Sequence, residues 1–408
     1  MDRVSIAVMG GGSCRGSPPT PSRAILLISM LKNRVFGSIL GVVLTISIGF
    51  ICCGRPEVAW RGTIQEVDGV TVVKNPNEPM HEEDACRLEE DLSIGQEEVG
   101  DEYPFSEVRD LAVDEEQNIY VLDFKEPFIR VFDKFGKRLL AIGKRGQGPG
   151  EIQGPTSLCV TSRGELLVND RGNRFLHIYT LAGEHKRSIS LARWPMFSRP
   201  VVDDQDNIIA RCAVTSPGRA WIFVLKKFDP GLQELFDIFA YLMDVTPNVY
   251  DIFPPDCFWK VRSDGRIVWG YADKYELRIL DGDGRVIRRI IRDYVPVGIT
   301  GEEKNAWVQF AFGDTGVPAS VKLNWPRYHN AFQFLSLDDK DRMFIQTYEK
   351  TTDGKGTFCD IFDPGGKFMA KIALKGAPRV VKNNKIYTIE EDEQGYQVVK
   401  RYKISWKF

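Results

Sequence analysis

Four basic side chains of this 408-residue chain, Lys144 and Arg145 with Arg171 and Arg174 on a neighbouring strand connection, could line one rim of a central channel. Gathered at one rim they would favour an anionic ligand. An exposed basic loop with no ligand is the competing reading, because charged side chains are normally solvated. Acids are the second set: Asp110 and Asp203 sit in strand patterns, and several such carboxylates converging on one point would suit a hard divalent cation. The four histidines, His81, His177, His185 and His329, include no helical pair at metal-ligand spacing. There is no Gly-x-Ser-x-Gly elbow and no phosphate-binding loop with its lysine. Residues 143–150 are glycine-rich but join two strand patterns, so they read as a tight turn. No catalytic residue, cofactor or metal site is predicted.

The elements that would position these groups recur six times. The clearest copy is Asp110-Leu-Ala-Val-Asp-Glu-Glu-Gln-Asn-Ile-Tyr-Val-Leu-Asp123, followed by Phe128-Ile-Arg-Val-Phe-Asp-Lys-Phe-Gly-Lys137 and Arg138-Leu-Leu-Ala-Ile-Gly143. By period this is four short strands with turns between them. Anchors at Val113, Val160, Val202, Val261, Leu337 and Val380 give steps of about 47, 42, 59, 76 and 43 residues, close to a propeller blade wherever no loop is inserted. A four-stranded sheet cannot bury both faces alone, so the copies must pack around an axis. The expected fold is all-β, a six-bladed β-propeller occupying residues 86–408. The sixth copy runs out of chain after three strands, and residues 87–94 resemble the outer strand of the first copy. They are expected to supply the missing strand and close the ring, removing two sheet edges.

The first two copies resemble the NHL type of six-bladed propeller. The carrying residues are Gly143-Lys-Arg-Gly-Gln-Gly-Pro-Gly-Glu151 with Pro155, the strand Asn118-Ile-Tyr-Val-Leu-Asp123, and Asp170-Arg-Gly-Asn-Arg174 before an apolar strand. Over nearly the whole mature chain there is also a resemblance to bacterial six-bladed propeller lipoproteins of uncharacterised function. That resemblance implies the fold but hardly bears on activity.

Lys32 and Arg34 precede an uncharged stretch, residues 35–51, that ends at Cys52-Cys53-Gly54. This order reads as a secretory signal, with translation expected to begin at Met30. A cysteine at the end of such a run resembles the lipobox of bacterial lipoproteins, which implies acylation; Cys53 is favoured over Cys52 because its preceding residue is smaller. An uncleaved anchor is the alternative for residues 1–53, since 17 uncharged residues approach the length needed to span. Either way the body is expected outside the inner membrane, on the periplasmic or extracellular side, held by membrane lipid at about 0.8 kcal/mol per buried methylene. Residues 54–85 read as a tether with one hairpin, 63–67 and 70–73 joined by the two-residue turn Asp68-Gly69.

The formal net charge is -2, from 54 basic and 56 acidic side chains. It provides no broad positive field for phosphates, so no nucleic acid is expected as a partner although RNA-binding NHL propellers exist. Five cysteines remain in the body, with no Cys-x-x-Cys pair; Cys159 and Cys359 fall in strand patterns, where cysteine behaves as a small hydrophobe. Between the fourth and fifth copies Thr300-Gly-Glu-Glu303 has the form of a capping box for a helix over 301–312. Its Trp307, Phe310 and Phe312, with Trp325, Tyr328 and His329 beyond, form either a lid over the channel or simple packing of the insertion on the ring. Two functions follow: a membrane-tethered monomeric binding module for an unknown small molecule or protein, or a metal-dependent hydrolase resembling gluconolactonase-type propellers. The first, non-enzymatic reading is the expectation.

Overall fold

In the computed structural model, residues 59–81, 85–95, 105–215, 220–244 and 246–407 are described. The acidic turns noted in the sequence reverse the strands. Asp133 Oδ1 accepts the amides of Phe135 and Lys137, each at 2.9 Å. The same bond to the amide four residues on recurs at Asp203, Asp229, Asp281, Asp338, Asp363 and Asp392. A short carboxylate bonding its own backbone is what makes aspartate a turn former. In the Asp363 turn, Gly366 has φ +93°, and a Cβ there would meet Ile290 of the preceding sheet at 2.5 Å, so only glycine lets the turn close on its neighbour.

Between these turns lie six blades of four antiparallel strands, five of them separate sheets and the fourth widened to six strands by two strands from near the N-terminus. Their innermost strands are Val108–Val113, Pro155–Val160, Ser198–Val202, Cys257–Val261, Phe334–Leu337 and Val380–Lys382. Each innermost strand packs against that of the next sheet, and the sixth packs against the first, so the ring closes. The protein is an all-β, six-bladed propeller. The fourth strand of blade six is Cys86–Ile94, paired antiparallel with Gln397–Trp406 from Val399↔Ile94 to Trp406↔Cys86. Closure by an N-terminal strand is therefore present, as the sequence implied.

The core lies between blades. Strand Ile119–Asp123 is buried along its whole length, and its two-residue period sorts its side chains. Ile119 and Val121 join a cluster with Tyr387 and Val399 of blade six, while Tyr120 and Leu122 join Leu166 and Val168 of blade two. Four further clusters fill the other blade junctions. At ~1.5–3 kcal/mol for each fully buried large apolar side chain, these junctions hold the ring.

Both long repeat steps are insertions. One precedes Cys257–Val261 and the other precedes Phe334–Leu337, and they meet where Val249–Asp251 pairs in parallel with Lys322–Asn324. The second insertion carries the helix Gly301–Phe312, with the capping box at Thr300 and Glu303. Trp307 packs on Phe312 and Trp325, and Phe253 packs on Trp325 and His329. The aromatic groups thus largely pack the insertions on each other.

The expected hairpin is Thr63–Val67 with Val70–Asn75. Its second strand pairs in parallel with Val286–Arg292, the outer strand of blade four. Asn75 is buried where the hairpin meets the ring. Its Oδ1 accepts from Phe368 N at 2.8 Å and from Trp60 Nε1 at 3.0 Å, and its Nδ2 donates to Gly366 O at 2.9 Å. Met80 N and His81 N then donate to Phe368 O and Met369 O of blade five, each at 2.9 Å. The N-terminal segment accordingly runs along the outside of blades four, five and six in turn.

Candidate anion site in the central channel

All six innermost strands contribute to one cavity of about 320 Å³ on the ring axis. Its charged lining is Asp110 from blade one, Arg199 from blade three, Lys260 from blade four and Arg379 at the start of blade six, with Arg109 nearer the surface. Thr156, Ser157 and Cys159 of blade two add uncharged polar groups, and Phe334 of blade five is part of the apolar lining.

Arg109 and Arg199 each have a carboxylate beside them. Arg109 pairs with Glu107 and lies over the Phe124 ring. Arg199 pairs with Asp256 at 2.5 Å and lies over Phe258 and Trp259. Asp256 also receives Arg211 at 2.5 Å. Burial alone would raise its pKa, but the two arginines and the Cys257 amide hold it below the usual carboxylate range.

Lys260 and Arg379 have no such partner. Among the described residues neither forms an ion pair, and the buried Arg379 Nε has no hydrogen-bond acceptor. The Arg379 guanidinium lies 5.2 Å from the centre of the Phe334 ring. Burial lowers the Lys260 pKa, partly offset by the charge of Asp110. Burial likewise raises the pKa of Asp110 against the opposing pull of Arg379 and Lys260. Asp110 and Lys260 therefore sense each other and the nearby Arg379. Ser157, 4 % exposed, has a buried hydroxyl without a partner.

A divalent cation does not suit this wall. Hard cations need several oxygen ligands, whereas Asp110 is the one carboxylate in the lining and already accepts from Leu111 N at 3.0 Å and Leu158 N at 3.1 Å. Lys260 and Arg379 would repel a metal beside it. Asp203 is elsewhere: it closes the first turn of blade three and pairs with Lys227 at 2.9 Å. Among the described residues no three His, Cys, Asp or Glu side chains are grouped to hold a metal. Cys159 is a poor nucleophile, because burial and the charge of Asp110 push its thiol up to about 12. Cys359 is fully buried, as its strand pattern implied.

The four basic residues singled out in the sequence lie elsewhere. Lys144 pairs with Glu151 at 2.8 Å, and Arg145 donates to the Lys125 carbonyl at 2.5 Å. Arg171 and Arg174 line a separate shallow pocket with Trp194 and Phe197. None of the four is in the channel lining. The acids of this region are structural too: Asp170 accepts the amides of Gln153, Gly154, Gly172 and Asn173, as Asp123 accepts those of Ser106 and Glu107 one blade earlier. Lys260 and Arg379, which sequence reasoning passed over, interrupt apolar strand patterns at matching places in their blades. That interruption was the available signal. Cys53, the expected lipidation site, and residues 1–53 as a whole lie outside the described residues, among which no helix is long and apolar enough to cross a membrane.

Comparison with known proteins agrees with this architecture. The family model DUF5128, described as a 6-bladed beta-propeller, matches residues 98–241. No curated protein matches the chain. A solved structure of a putative exported protein from Bacteroides fragilis is similar with a TM-score of 0.54 at 10% identity, covering 83% of this chain and 100% of that one. A DUF4221-family protein from Bacteroides vulgatus gives a TM-score of 0.47 at 12% identity, covering 79% and 99%. A gluconolactonase from Xanthomonas campestris gives 0.43 at 10% identity, covering 74% and 87%. At such identities the likeness concerns fold alone.

Proposed function

We propose that this protein is an extracytoplasmic, membrane-tethered propeller of NHL-like type that acts as a binding module, with the central channel as its ligand site. The observation that carries this reading is the cavity walled by all six blades, in which, among the described residues, Lys260 and Arg379 form no ion pair and the Arg379 Nε and Ser157 hydroxyl have no hydrogen-bond partner. Concave sites with a few convergent polar groups are where small ligands bind. The apolar stretch 35–51 behind Lys32 and Arg34, ending at Cys52-Cys53, supports export and acylation at Cys53. The description of one similar structure as a putative exported protein accords with that. Metal-dependent lactone hydrolysis is the weaker reading, because the channel lining offers a divalent ion one carboxylate already engaged by two amides.

The test has two parts. Cell fractionation should find the wild type with membranes and a Cys53→Ala variant displaced from them; equal distribution of the two contradicts acylation at Cys53. A thermal-shift screen of small metabolites on the purified protein should reveal stabilising compounds whose effect is abolished by bulky substitution at Ser157. A screen with no stabilising compound contradicts the binding module.

A further inference from the structure

We propose that the channel takes a small organic monoanion, a carboxylate, held between Lys260 and Arg379 with Ser157 as an additional donor. This rests on the reading of the channel as a binding site and names the chemistry of what binds.

Charge and unsatisfied groups carry the inference together. Most cations of this protein in buried surroundings have a carboxylate beside them: Arg292 meets Asp360 at 2.9 Å, Lys227 meets Asp203 at 2.9 Å, and Lys226 meets Glu234 at 2.9 Å and Asp237 at 2.5 Å. Lys260 and Arg379 break that pattern, and both face the same cavity. A charge removed from water without an ion pair is costly, so a wall holding two cations that, among the described residues, form none is poised for a counter-charge from outside the chain. Asp110 supplies one negative charge near them, but its oxygens are taken by the Leu111 and Leu158 amides. Lys260 and Arg379, the lining cations that form no ion pair among the described residues, set against Asp110 leave a single positive charge, which matches a monoanion better than a phosphate dianion.

Shape points the same way. A guanidinium offers a planar fork that fits the two oxygens of a carboxylate, and an ammonium adds a point charge. The buried Arg379 Nε and Ser157 hydroxyl, both without partners, are donors awaiting an acceptor. Leu111, Ala112, Val201 and Leu335, with Phe258, Trp259 and Phe334, give the cavity an apolar lining beside the charged groups, so the ligand's remainder is expected to carry carbon rather than further charge. A cavity of about 320 Å³ admits a compound of metabolite size and excludes a folded peptide.

Thermal shift and calorimetric titration of the full chain with benzoate, lactate and D-glucuronate test this, set against benzamide, lactamide and glucose. At least one carboxylate is expected to raise the melting temperature by about 2 °C or more at saturation, its neutral partner leaving the temperature unchanged. Lys260→Met and Arg379→Met should each weaken that carboxylate about thirtyfold or more, the range for truncating one member of a buried charge pair. Lys260→Gln and Arg379→Gln serve if a methionine variant fails to fold. Absence of any carboxylate response overturns the inference. Equal binding of the neutral partners, or full binding by the charge-removed variants, also overturns it while leaving the channel a binding site. Failure of every compound, charged and neutral, would remove the binding module as well.

Discussion

Asp110 Oδ2 accepts the backbone amide of Leu158 at 3.1 Å, so the carboxylate in the channel wall joins blade one to blade two. Its other oxygen accepts from Leu111 at 3.0 Å. Asp110→Ala, which removes both bonds, is expected to lower stability by about 2–3 kcal/mol. Asp110→Asn retains one acceptor and sheds a buried charge, so it should stay within about 1 kcal/mol of wild type. Denaturant melts of the two variants check the order; equal losses would mean that the acid acts through its charge.

Lys260 carries a charge that, among the described residues, no ion pair compensates and that Asp110 offsets only in part. Without ligand, Lys260→Met should therefore raise stability by about 1 kcal/mol near neutral pH. Burial lowers the folded pKa of Lys260, so the unfolded chain binds its proton more tightly. The wild type consequently gains stability as pH rises through the lowered folded value towards the unfolded value of about 10.4, and the advantage of the variant shrinks over that window. Melts from neutral to alkaline pH measure it, and a gap that widens with pH would refute the account of Lys260.

Glu276 shows the opposite case. It is 6 % exposed and receives Arg278 Nε at 2.8 Å and Arg289 Nε at 2.9 Å. Burial would raise its pKa, but these two arginines outweigh burial and hold it at about 2. A depressed carboxylate stabilises the fold above its unfolded pKa, and that stability is lost as pH falls through the folded value. Glu276→Gln should lose about 2 kcal/mol near neutral pH, with the difference from wild type vanishing between about pH 5 and pH 2. A pH-independent difference would assign the loss to packing. Asp110, raised by burial, should act with the reverse sign in the acid range.

The outer strand Cys86–Ile94 closes blade six. Deleting residues 86–96 should lower stability by several kcal/mol through loss of a whole strand and its junction contacts. Asn75→Ala should cost about 2 kcal/mol, because it strands the Phe368 amide and frees the hairpin from blades four and five. Protease should then cut between the hairpin and residue 86 faster than in wild type. Unchanged melting of the deletion would rule out its role in closing the ring.

Much of the fold was legible because its signals are local. Asp133, Asp229 and Asp363 each announce a turn within five residues, and the apolar run Ile119–Asp123 shows a strand buried on both faces. The closing strand could be found because residues 87–94 repeat a pattern seen elsewhere. Docking of the hairpin could not: Asn75 bonds Ile291 and Gly366, more than two hundred positions away, and the parallel pairing leaves no turn signal. The site was harder still. Lys144, Arg145, Arg171 and Arg174 drew notice because glycines surround them, yet a glycine turn marks a tight connection and not a channel. Lys260 and Arg379 come from blades more than a hundred residues apart, and only ring closure brings them to one cavity.

Anomalous diffraction from a bromide-soaked crystal tests the channel claim most directly. A bromide peak on the ring axis, within reach of Lys260 Nζ and the Arg379 guanidinium, is the predicted result. Peaks confined to the outer surface, with the axis empty beside those two side chains, would contradict it.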